Sequence, residues 1–150
     1  MDTIGASKPD ISSKPPVLVI CGPTGIGKTV AASAAAEAVS GKIISADSMQ
    51  VYRYMDIGTA KPTVEERTRA PHHLIDVVDP DEDFDAARFS RAAREIAVAM
   101  DRRGAVPIVA GGTGLYIKAM LFGLFRAEPP DPLTRQRLRL EADEVGSEAL

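Results

Sequence analysis

The chain has 150 residues, 45% of them hydrophobic and 26% charged, the balance of one globular domain long enough to bury a core. A formal net charge of −3 excludes a global basic field for nucleic acid, so any RNA contact has to use a local patch. The single cysteine, Cys21, excludes an internal disulfide and a multi-cysteine zinc site, and no stretch reads as a membrane span.

Residues 1–16 are polar and lack an apolar signal core, so they read as a flexible N-terminal tail on a cytoplasmic protein. Val17-Leu18-Val19-Ile20-Cys21 is an apolar, β-branched run that predicts a buried strand, with an inert thiol at its end. Gly22-Pro23-Thr24-Gly25-Ile26-Gly27-Lys28-Thr29 follows and matches G-x-x-x-x-G-K-[ST], the loop that cradles phosphate. Its glycines let successive N–H groups turn inward around an anion, Lys28 adds a point charge, and the Thr29 hydroxyl suits Mg²⁺. Thr29 opens a helix running to Val39, whose N-terminal amides and dipole face the same anion. The pattern identifies a polyphosphate and leaves open whether this is ATP, GTP or a diphosphate ester.

Ser40-Gly41 stops the helix, and Lys42-Ile43-Ile44-Ser45-Ala46 predicts a second strand ending at Asp47. A strand, helix and strand at this spacing imply a parallel sheet, whose ligands gather beyond the carboxyl ends of the strands. Asp47 therefore belongs on the rim that carries the phosphate loop. Residues 47–62 are mixed in polarity and read as a functional loop. Thr63 and Glu66 predict a capping box for a short helix stopped by Pro71, and His73-Leu74-Ile75-Asp76-Val77-Val78 offers a third strand. His72 and His73 are adjacent in an extended segment and point to opposite faces, which favours structural hydrogen bonding over metal chelation.

Asp85 caps an amphipathic helix with Phe89, Ala93, Ile96 and Met100 on one side, closed by Arg102-Arg103-Gly104. Arg88, Arg91 and Arg94 lie elsewhere on it, either as a solvated face or as a contact for polyphosphate or RNA. Val106-Pro107-Ile108-Val109-Ala110 is a fourth strand that runs into Gly111-Gly112-Thr113-Gly114 and a helix from Leu115 to Phe122, capped by Gly123. A nucleotide-hydrolysing enzyme often places a metal-binding aspartate after such a strand, whereas this one ends in glycines. Residues 124–130 read as a linker, and Asp131-Pro132 starts a last, locally basic helix. Four strands alternating with helices predict a three-layer α/β/α sandwich around a parallel sheet.

The phosphate loop opening with Gly22-Pro23-Thr24, Asp47-Ser48-Met49-Gln50-Val51-Tyr52-Arg53, Gly58-Thr59-Ala60-Lys61-Pro62, His72-His73-Leu74-Ile75-Asp76 and Gly111-Gly112-Thr113-Gly114-Leu115-Tyr116 together resemble the tRNA dimethylallyltransferase family. The likeness runs from Val17 to the end and corresponds to the N-terminal half of that family's chain. It implies a P-loop NTPase-like fold over residues 17–150 and a monomer that moves a dimethylallyl group from its diphosphate to N6 of adenosine 37 of tRNA. It further implies that residues Gly22 to Thr29 bind the diphosphate, with Mg²⁺ on Thr29, and that Asp47, Lys28 and Thr24 are catalytic, Asp47 as general base. Asp47, Ser48, Met49, Gln50, Arg53, Thr113 and Arg135 match positions that meet tRNA. The competing readings are an adenylate isopentenyltransferase, a P-loop small-molecule kinase with the Arg88, Arg91 and Arg94 helix as a lid, and a remnant without turnover.

Overall fold

The computed structural model describes residues 15–124 and 131–145, so most of the tail and of the linker expected from the sequence lies outside the described residues. Local chemistry sets the helix ends. Thr63 and Glu66 form the expected capping box at the start of α2 (Val64–Arg69), and Asp85 accepts the Arg88 N–H at 2.7 Å to open α3 (Ala86–Asp101). Asp131 accepts the N–H groups of Leu133 and Thr134 at 3.1 and 3.2 Å and opens α5 (Pro132–Val145). Helix α1 (Lys28–Val39) closes at Ser40, and α4 (Gly114–Phe122) closes at Gly123. No helix among the described residues is long and apolar enough to cross a membrane.

Four parallel strands, β1 (Leu18–Cys21), β2 (Lys42–Ser45), β3 (His72–His73) and β4 (Pro107–Gly111), form one sheet in the order β1-β4-β2-β3. Alternation along the strands builds two cores. Ile43 and Ile108 face α1 and pack on Ala32, Ala36 and Ala70. Ile44 and Val109 point the other way, into a larger core with Phe89, Ala93 and Met100 of α3 and Ile117 and Met120 of α4. Helices on both faces of a parallel sheet give the three-layer, P-loop NTPase-like arrangement that the sequence predicts. Tyr116 joins α4 to α3, stacking on Phe89 at 4.5 Å between ring centroids and donating its hydroxyl to the Phe84 carbonyl at 2.6 Å.

Two strands differ from expectation. β1 pairs with β4 alone and has no second neighbour among the described residues, so Leu18 is 41% exposed and Cys21 is exposed rather than sealed in a core. The third strand ends at His73 instead of continuing to Val78. Leu74 (φ 61°) and Asp76 (φ 55°) adopt left-handed backbone and turn the chain away. It then pairs with the loop after β2: the Asp76 N–H donates to Gln50 O, and the Val77 and Val78 N–H groups both donate to Val51 O. Val51 and Val78 are buried at this junction.

That junction carries an ionic clamp. The Lys61 side chain is 4% exposed and its ammonium donates to Asp76 at 2.7 Å, Asp56 at 2.9 Å and Tyr52 O at 2.6 Å. Arg67 donates to the other Asp76 oxygen at 2.8 Å. Burial pushes the Asp76 carboxyl up, but the hydrogen bonds from Lys61 and Arg67 outweigh it and hold the group below the ordinary carboxylate range.

A second constraint lies at the end of β4. The Ala46 N–H donates to Ala110 O at 2.8 Å and the Thr113 N–H donates to Ala46 O at 3.0 Å, so a Cβ on Gly111 would overlap the Ala46 backbone. Gly112 is roomier, with Gly22 O the nearest atom to its would-be Cβ at 3.5 Å.

Two outcomes follow for urea melts of this chain. Gly111→Ala is expected to cost about 3 kcal/mol, at the upper end of overpacking penalties, whereas Gly112→Ala stays within about 0.5 kcal/mol of wild type; equal effects would reject the close approach as the cause. Asp76→Asn, which leaves Lys61 under-paired, is expected to cost about 1–3 kcal/mol at neutral pH. Because the folded carboxyl titrates below the unfolded one, this difference is fully present above about pH 4 and shrinks as pH falls through the lowered value. A difference that grows on acidification would exclude the clamp.

Candidate active site

The loop between β1 and α1 turns through Gly25 (φ 88°) and Gly27 (φ 86°), a left-handed geometry that a side chain would strain. Gly27 is the N-cap of α1 and offers no side-chain partner, so the first amides of the helix are left for an anion. Lys28 folds back and donates to the Pro23 carbonyl at 2.7 Å, within its own loop. The Thr29 hydroxyl has no hydrogen-bond partner among the described residues.

A cavity of about 290 Å³ opens beside this loop. Of the residues expected to serve the site, Thr24, Gly25, Gly27, Lys28, Thr29, Asp47, Met49 and Gln50 line it. Gly22, Pro23 and Ile26 belong to the loop but not to the cavity wall, and the Ile26 side chain is 60% exposed. Asp47 is half-buried at the carboxyl end of β2, where the topology rule puts it. Its Oδ1 accepts the Met49 N–H at 2.9 Å and the Gln50 N–H at 3.3 Å, which fixes the carboxylate on the turn that follows. Its Oδ2 has no partner among the described residues.

Ser48 and Thr113 meet beside Asp47: the Ser48 N–H donates to Thr113 Oγ1 at 2.9 Å, and the two hydroxyls are 3.3 Å apart. Arg53 turns away from the cavity, donating to Asp79 at 2.9 Å and to Val77 O at 3.1 Å. Arg135 falls on α5, and its side chain lies outside the described residues.

The far wall was not foreseen. Gly58, Thr59, Ala60, Pro62 and His72 close the cavity opposite the phosphate loop. Gln50 ties that wall to the sheet, accepting from Ser45 Oγ at 2.9 Å and donating to the carbonyls of Thr59 and Ala60 at 3.2 and 2.9 Å. The Gly58-Thr59-Ala60-Lys61-Pro62 segment was the available signal, but sequence order alone does not fold it back over Gln50. His72 has its Nδ1 2.6 Å from Ala70 O, and burial lowers its pKa, so it serves as a neutral, structurally bonded wall residue.

Two of the three arginines of α3 have internal partners, and Arg91 is exposed with no hydrogen-bond partner among the described residues. Arg88 donates to Asp83 O and to Glu82 and lies over the Phe84 ring, while Arg94 donates to Ala119 O and Met120 O at the end of α4. Helix α3 packs on the sheet face opposite α1, which removes the basis for a kinase lid in this helix.

The "tRNA dimethylallyltransferase" of Desulfosudis oleivorans is 57% identical over 92% of this chain and 44% of its own. Among solved structures, the full-length tRNA isopentenylpyrophosphate transferase of Bacillus halodurans superposes with a TM-score of 0.73 at 42% identity, covering 91% of this chain and 45% of that one. A eukaryotic dimethylallyltransferase acting on tRNA superposes with a TM-score of 0.70 at 37% identity, over 83% of this chain and 31% of its own. The chain thus spans less than half the length of these relatives. The family model described as IPP transferase matches residues 50–150, and the chain belongs to the IPP transferase family.

Proposed function

We propose that this chain is the donor-binding and catalytic half of an enzyme that transfers a dimethylallyl group from dimethylallyl diphosphate to N6 of an adenosine in tRNA. The observation that carries the reading is the shared cavity: an uncapped phosphate loop and a fixed carboxylate, Asp47, face the same space. Relatives described as tRNA dimethylallyltransferase support the same chemistry.

In this reading the amides of residues 25–29 and the Lys28 ammonium receive the diphosphate, and Lys28 gives up the Pro23 carbonyl to do so. The same donors stabilise the negative charge that grows on the leaving oxygen as the allylic C–O bond breaks. The Thr29 hydroxyl and the diphosphate oxygens suit Mg²⁺, which keeps several waters and seldom needs more than one or two protein ligands. When bound, Mg²⁺ would supply further neutralisation of the diphosphate.

An exocyclic adenine amine is a poor nucleophile because its lone pair is delocalised into the ring. Asp47 answers this deficiency: with Oδ1 engaged by two amides, Oδ2 is the oxygen that takes the N6 proton as the new C–N bond forms. Thr24 stands on the donor side of the cavity and Met49 and Gln50 on the acceptor side, while Ser48 and Thr113 bond to each other beside Asp47. Arg53 and Arg135 extend the tRNA contacts beyond it.

Asp47→Asn in the full-length enzyme is expected to lower kcat by about 10²–10⁴-fold with diphosphate affinity nearly unchanged. The asparagine carbonyl still accepts the Met49 and Gln50 amides, so only the proton acceptor is lost; wild-type turnover in the variant would reject the role. For the 150-residue chain itself, dimethylallyl diphosphate and pyrophosphate with Mg²⁺ are expected to stabilise the fold by about 2.7 kcal/mol at a hundredfold excess over Kd, and Lys28→Ala should abolish the gain. Stabilisation by ATP in preference to the diphosphates would argue instead for a nucleotide-using enzyme.

A further inference from the structure

We propose that Thr113 is a positioning residue for the Asp47 carboxylate, acting by clamping the peptide groups on both sides of it. The inference rests on the prenyl-transfer reading above and adds a residue through which the general base is held.

Thr113 occupies the N-cap of α4, where a threonine hydroxyl ordinarily accepts an amide two or three residues ahead. It makes no such bond. The hydroxyl oxygen instead accepts the Ser48 N–H at 2.9 Å, across 65 residues of sequence, and donates to Ser48 Oγ at 3.3 Å. The Thr113 N–H donates to the Ala46 carbonyl at 3.0 Å. One residue therefore holds the carbonyl before Asp47 and the amide after it, while Asp47 Oδ1 is held in turn by Met49 and Gln50. The close approach is open only because residue 111 lacks a Cβ.

A half-buried hydroxyl spent in this way does its work through Asp47. Loss of the oxygen frees the Ser48 amide and lets the base swing, and a displacement on the order of 1 Å costs up to about 10²-fold in rate. A threonine whose principal role was to touch tRNA would affect acceptor binding instead.

The test uses Thr113→Val, which keeps shape and the N–H to Ala46 but removes the acceptor oxygen, beside Thr113→Ser, which keeps it. In the full-length enzyme, valine is expected to reduce kcat by about 10–100-fold with KM for tRNA and for dimethylallyl diphosphate held within about twofold, and serine is expected to restore most of the rate. A raised KM for tRNA at unchanged kcat, or no rescue by serine, overturns the proposal. Amide hydrogen exchange in the 150-residue chain supplies an independent readout: valine should speed exchange at Ser48, Met49 and Gln50, and serine should not. If the wild-type enzyme transfers no prenyl group, the functional reading fails, and unchanged exchange in the valine variant rejects the clamp on its own.

Discussion

The contact of the Gly111 backbone with that of Ala46 is the constraint on which the site depends. It brings the carboxyl ends of β2 and β4 closer than side chains would permit; Asp47 and the phosphate loop line one cavity there, and Thr113 bonds the residues on either side of Asp47. Helix capping divides along the same line. Helices α2, α3 and α5 are capped by Thr63, Asp85 and Asp131, whereas α1 and α4, which begin at this rim, have no side-chain cap. A cap typically contributes about 1 kcal/mol, so two helix starts forgo that stability at this rim. At α1 the N-cap is a glycine with no side chain to meet the first amides, and at α4 the threonine that could have capped is committed to Ser48.

Ala60 of the cavity wall belongs to a region of strained backbone held by polar cross-links. Tyr54, Ala60, Leu74 and Asp76 all have positive φ, in two segments that face each other. Each such residue costs of order 1–3 kcal/mol and persists only when its surroundings fix it. Lys61 does much of this fixing, since one ammonium meets Tyr52 O, Asp56 and Asp76 and so spans both segments. Gln50 continues the bracing into the cavity, from Ser45 on the sheet to the carbonyls of Thr59 and Ala60. Its side chain is thereby oriented before any ligand arrives.

What was legible in the sequence was what is decided within a few residues. The strand, phosphate loop and helix from Leu18 to Val39, the caps at Thr63, Asp85 and Asp131 and the closing glycines at Gly104 and Gly123 are all short-range, and all stand in the structure. Asp47 was legible by one further step, the rule that places strand ends on the ligand side of a parallel sheet. The misses depend on partners far along the chain. Leu74 to Val78 has the apolar pattern of a strand, but the carbonyls of Gln50 and Val51 draw it out of the sheet. β1 reads as interior because both of its faces are apolar, yet its second edge has no partner among the described residues. The Arg94 contacts at the end of α4 and the Thr113–Ser48 pair span 25, 26 and 65 residues, separations that no local pattern encodes.

The glycines at the end of β4 acquire a physical reason from the same contact. In a nucleotide-hydrolysing enzyme that strand commonly delivers a metal-binding aspartate, but here a side chain at residue 111 would collide with the Ala46 peptide. The space that such a side chain would fill is taken by the backbone of Ala46, just beyond β2, and the next residue along the chain is a carboxylate. Asp47 thus reaches the rim from the neighbouring strand, with one oxygen fixed by two amides and the other turned to no protein donor among the described residues. A carboxylate held in this way is suited to accepting a proton from a substrate, and the phosphate loop beside it is suited to a leaving group that departs with its charge. The close approach therefore accounts for the missing side chain at the end of β4, and the carboxylate on this rim comes from the residue after Ala46 instead.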